Sequence, residues 1–152
     1  MVKYSSSLGG NIVSLNAYAV WHFDWSKISN VDFIFHKSEI DKVLNYLIYL
    51  LEKCRVSGVS EFKEEIARLD DDFVKLGLLL LYDGRETETI FKVLFNLINS
   101  TNLDDIGYLT KILQLEAFLM IQKGFTKFEF LMILNSYLGV KSIKNILEFY
   151  EL

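Results

Sequence analysis

The sequence predicts a mainly α protein, a compact helical domain of six to seven helices. Three observations carry that reading. No proline occurs in 152 residues, so no position loses a backbone N–H that a helix needs. From Ser38 onward, apolar side chains recur every three or four positions, the period of one helical face. Glycines stand at Gly58, Gly84, Gly124 and Gly139, each just past such a run, where a chain can leave the helix. The chain is 51% hydrophobic with a mean hydropathy of +0.25, enough apolar surface for one core, which excludes disorder as its main state.

Residues 1–37 form an aromatic-rich N-terminal extension and 38–152 the helical domain. From Val13 the odd positions Val13, Leu15, Ala17, Ala19, Trp21, Phe23 and Trp25 alternate with Ser14, Asn16, Tyr18, Val20, His22 and Asp24. That period of two reads as a strand over 13–25, with Ser26–Asn30 as a turn and a second strand over 31–36, a β-hairpin. The same residues also read as an amphipathic helix over 12–24, and the two readings stay open.

Ser38 is placed to cap the first long helix, with Glu39 and Asp41 in its first turn and Ile40, Val43, Leu44, Leu47, Ile48 and Leu51 on one face. It ends near Arg55, before Gly58. A short helix follows from Ser60 to Leu69. Asp70 or Asp71 caps the next, over 73–83. Thr87 starts a helix over 88–98, a fifth covers 104–123, Thr126 starts a sixth over 127–138, and 141–152 makes the last. Residues 73–98 and 113–138 echo each other when Gly84 is aligned with Gly124: apolar helix, glycine, threonine, apolar helix. Two copies are too few for a solenoid, and predict a pair of antiparallel helical hairpins packed as neighbours.

Function classes narrow by exclusion. Sixteen basic residues against 20 acidic give a net charge of −4, the wrong sign for a nucleic-acid backbone. One cysteine excludes an intramolecular disulfide and fits a reducing, cytoplasmic setting. No apolar run reaches the roughly 20 residues of a membrane span. Two histidines, His22 and His36, lack the spacing of a zinc site, so no metal and no cofactor is expected. Cys54 has no histidine nearby in sequence, and Asp70, Asp71 and Asp72 lack an EF-hand register. With no catalytic set in view, the expectation is a non-enzyme that works by protein–protein contact, with homo-oligomerisation as one way to cover its apolar excess.

Two surfaces are candidates. The first follows from a resemblance. Leu50–Ile66, LLEKCRVSGVSEFKEEI, resembles the segment after the second membrane helix of the MotA family of flagellar motor stators: an arginine, a glycine three residues on, then a small acidic helix. Arg55 and Gly58 hold those places. Asp72 to Gly84 is similar to the family's D-x-F-L-x-x-G-L-x-L-x-x-D-G, with Asp72 shifted by one, and Ile121 and Gly124 match its C-terminal I-x-x-G. The resemblance spans 40–98 and 110–140. It lacks the family's membrane helices and ion-path prolines, so ion conduction is not implied, and the acidic partner of the loop arginine falls at Lys63. It implies a structural or regulatory component of the flagellar motor, docking on motor proteins through Arg55, with Glu61 and Glu64 beside it. The alternative is an unrelated helical adaptor or inhibitor that binds a partner protein through the aromatic N-terminal face of Trp21 and Trp25.

Overall fold

A helix that is apolar on every side must be covered on every side, and residues 112–121 read that way. The computed structural model describes residues 23–149, and among them the protein is mainly helical, with no strand. The described residues form eight helices, α1 (Trp25–Ser29), α2 (Lys37–Ser57), α3 (Phe62–Arg68), α4 (Asp72–Tyr82), α5 (Thr87–Ser100), α6 (Asp105–Lys123), α7 (Lys127–Ser136) and α8 (Val140–Phe149). A 3-10 turn, Val59–Glu61, joins α2 to α3. Helix α6 runs through the centre. Ile112 to Ile121 are buried without a gap, and α1, α2, α4, α5 and α7 all pack against it.

The caps follow from local chemistry. The Asp71 carboxylate accepts from the N–H groups of Phe73 (2.9 Å) and Val74 (3.1 Å) and starts α4. Asp104 accepts from Gly107 N–H at 2.8 Å and starts α6. Thr126 and Glu129 form a reciprocal capping box at the head of α7. Gly124 ends α6 in the left-handed region, φ 71° and ψ 36°, which lets Phe125 N–H reach the Met120 carbonyl at 3.1 Å.

Two expected starts move. Helix α2 begins at Lys37 rather than behind a Ser38 cap, with His36 at the cap position and no side-chain bond there. The reason lies upstream: Asp32 accepts from Ile34 and Phe35 N–H, and the turn over 33–36 runs straight into the helix, so no fresh N-terminus opens at Ser38. Thr87 is the first residue of α5, with Glu86 before it, and is itself buried.

The first arm of the expected β-hairpin, and the helix read over 12–24, lie almost wholly outside the described residues. Within them, Trp25–Ser29 is helical, capped by Asp24, and 33–36 is a turn. Phe23, Ile28 and Val31 join the same core as the later helices. Helix α4 crosses close to α6 at Gly77, where a Cβ would lie 2.3 Å from the ring of the fully buried Phe118.

Candidate functional site

The outermost helix marks the site. Among the described residues of α8 none is buried, although Ile143, Ile146 and Leu147 fall on one face. Gly139, at φ 94°, turns the chain from α7 into α8. Between α8, α7, the N-terminal half of α2 and the 33–36 turn runs an open groove of about 790 Å³. Its walls are apolar: Phe33, Ile34, Leu44, Leu131, Leu138 and Ile146. Ile34 is 89% exposed and Val140, on the next helix, 73%. Lys37, Asp41, Asn135, Lys141, Ser142 and Asn145 line it as well. Lys37 pairs with Asp41 one turn on, while Lys141 makes no ion pair with a described residue. The lining is therefore weakly positive on a chain of net charge −4.

A second, shallower cleft of about 430 Å³ meets the groove at Phe33 and is lined by Trp25, Ile28 and Tyr137. Below it lies a polar pair in the core. Glu116 is 2% exposed, and its Oε2 accepts from the Tyr137 hydroxyl at 3.1 Å. Burial pushes the Glu116 carboxyl up to about 7, against an opposing pull from that hydrogen bond. Burial, then the neighbouring carboxylate, push the Tyr137 hydroxyl well above its ordinary range. Tyr137 stacks on Trp25 with ring centroids 5.5 Å apart and 10° between planes, and touches Phe23 at 6.1 Å.

The sequence-predicted site residues are divided by the fold. Arg55 is exposed at the last turn of α2. Glu61 is half-buried in the 3-10 turn. Glu64 is exposed and pairs with Arg68 at 3.6 Å. The three lie on consecutive elements, α2, the 3-10 turn and α3. Trp25 is 44% exposed on the other candidate surface, and Trp21 lies outside the described residues.

The polar residue that organises the α2–α3 side is Glu65, which the sequence presents only as one of the charges on a solvated helix face with Glu61, Lys63, Glu64 and Arg68. It accepts from Tyr46 (3.0 Å), Tyr49 (3.1 Å) and Lys53 (3.4 Å). Its signal was an aromatic pair three apart, Tyr46 and Tyr49, with polar tips on an otherwise apolar face. Glu116 is a second polar residue that the sequence does not single out, a carboxylate within the apolar run of α6. Cys54 is half-buried, and burial raises its thiol above the ordinary value. Asp71 bonds Lys111 through both oxygens, at 2.9 and 3.2 Å, tying α4 to α6.

Among the described residues no three His, Cys, Asp or Glu side chains converge as a metal site, and no helix is long and apolar enough to cross a membrane. A scan against protein-family models, a search of curated proteins and a search of solved structures each return no match.

Proposed function

We propose that this protein is a non-enzymatic, cytoplasmic interaction domain that receives an amphipathic helix of a protein partner in the groove between α2, α7 and α8. What supports the reading is the lining: apolar side chains from the 33–36 turn, α2, α7 and α8, with Lys37, Asp41 and Lys141 among them. The occupant follows from the charge. Lys37 and Asp41 offset each other, so Lys141, with Lys144 exposed on the same helix, favours a helix with an acidic flank. Trp25, on the adjoining cleft, extends the same surface, as the aromatic-face alternative expects. In this reading the scaffold is two helical hairpins, 73–98 and 113–138.

The test is fluorescence anisotropy with a labelled amphipathic peptide carrying leucines at i, i+3, i+4 and i+7 and glutamates on its flank. Binding by the wild type, weakened at least about tenfold in Ile146→Glu, supports the reading. Equal binding by both, or equal binding of a lysine-flanked peptide, contradicts it. Sedimentation showing a dimer that Ile146→Glu dissociates would replace the partner helix by a second copy of this chain.

A second reading keeps the MotA resemblance: a component or regulator of the flagellar motor, docking through Arg55. It is favoured by the exposure of Arg55, which makes no ion pair with a described residue, and of Glu64 close by in α3. Failure of Arg55→Glu to change crosslinking to purified motor proteins would remove it.

A further inference from the structure

We propose that Glu116 and Tyr137 form a proton-operated latch that holds α1 against the core. The latch does not depend on what the groove binds. Helix α1 has five residues, too few to stand without tertiary support. Its aromatic flank, Phe23 and Trp25, rests on the ring of Tyr137. That ring is positioned from the other side by its hydroxyl, which donates to Glu116. The carboxyl thus sits one side chain below the layer that anchors α1.

A neutral carboxyl suits this setting better, because it carries no charge into apolar surroundings and keeps an acceptor oxygen for the Tyr137 hydroxyl. An ionised one does not. Among the described residues Tyr137 is its only hydrogen-bond partner, and no cation is set against it. The charged groups of the neighbouring helices are engaged elsewhere or do not reach it. On α1, Lys27 donates to the Leu103 carbonyl at 3.1 Å and lies over the Tyr108 ring. Asp24 is held by its cap bonds to α1, and its N–H donates to the Tyr108 hydroxyl at 2.7 Å.

On α2, Lys53 bonds Glu65, and Glu52 lies near Lys127 of α7. On α4, Lys75 makes no contact with it, and Asp71 is bound to Lys111 of α6 itself. On α5, Lys92 pairs with Glu88, and on α7, Glu129 is closed in its capping box. A carboxylate created here must draw in water or move toward it. The thinnest cover is the layer of Tyr137, Phe23 and Trp25, because Trp25 is already 44% exposed. Ionisation therefore loosens α1 first and leaves the helices around α6 in place.

The experiment follows Trp25 emission and near-ultraviolet circular dichroism from pH 5 to 9 in the full chain carrying Trp21→Phe, with and without Glu116→Gln. Both proteins keep His22 and His36, so a histidine transition appears in both. The latch predicts a transition centred near pH 7 that Glu116→Gln removes, with far-ultraviolet helicity unchanged across the range. Because the Tyr137 hydrogen bond favours the carboxylate, Tyr137→Phe should move the midpoint to higher pH. Carbon-13 titration of the Glu116 carboxyl gives the same midpoint directly. A flat wild-type profile overturns the proposal, as does one unchanged by Glu116→Gln. Should Glu116→Gln fail to fold, a midpoint unmoved or lowered in Tyr137→Phe overturns it equally.

Discussion

A carboxyl buried at 2% exposure, and raised from 4.5 to about 7, makes the stability of this fold depend on pH in a calculable way. The folded state holds the Glu116 proton more tightly than the unfolded chain does. Its penalty is therefore absent below about pH 4.5, grows between there and pH 7, and is complete above. Each tenfold in proton affinity is worth about 1.4 kcal/mol, so the whole penalty is about 3 kcal/mol. That is a sizeable part of the roughly 5–15 kcal/mol that holds a domain folded. Glu116→Gln removes the titration and keeps an acceptor for the Tyr137 hydroxyl. Urea unfolding of both proteins at pH 5, 6, 7 and 8 measures the difference. The variant should gain on the wild type by about 2.5 kcal/mol from pH 5 to pH 8, the remainder of the penalty having set in below pH 5. The histidines are common to both and cancel. Parallel pH profiles would refute the reasoning, because they would mean that Glu116 titrates alike in the folded and unfolded chain.

Two further outcomes follow from packing and capping. Gly77→Ala adds a methyl where the nearest Phe118 ring carbon is 2.3 Å away. Overpacking of about 1–3 kcal/mol then opposes roughly 1 kcal/mol of better helix propensity, so the urea midpoint falls, and Phe118→Leu in the same chain restores part of it. Asp71→Ala removes the α4 cap and the bond to Lys111, at about 1–2 kcal/mol, while Asp71→Asn keeps the cap acceptor and costs less. The Asp71 carboxyl is pushed up by burial but pulled further down by Lys111 and the Val74 N–H, ending below its ordinary 3.8. Its stabilisation is present above that value and is lost as pH falls through the folded one, which acid unfolding of the wild type against Asp71→Asn will show.

Much of the helical layout was readable because short-range chemistry decides it. Asp71 and Thr126 cap where a short polar side chain precedes an apolar run, and Gly124 ends α6 where only a left-handed residue closes the turn. The start of α2 was misplaced because the competing cap, Asp32, acts through a turn that apolar periodicity does not register. Alternation at Phe23 and Trp25 reads as a strand. The described structure makes Trp25 the first residue of a short helix, since tertiary contact of Trp25 with Tyr137, and of Phe23 with Phe95, outweighs local pattern. The candidate sites were less legible. Arg55 and Glu64 could be seen as exposed charges. The groove could not, because it is made by what α8 fails to cover, and that depends on the angle at Gly139 rather than on any residue in its walls. Glu116 was missed because a single charge in an apolar helix reads as a surface position until every side of that helix is found covered.

The most direct test of the interaction reading is hydrogen exchange of the full chain with and without the glutamate-flanked amphipathic peptide. The account predicts new protection over α8 and over residues 33–44, with α3 and the end of α2 around Arg55 unchanged. Protection centred on Arg55 and Glu64 with none along α8, or no protection anywhere at saturating peptide, would contradict it.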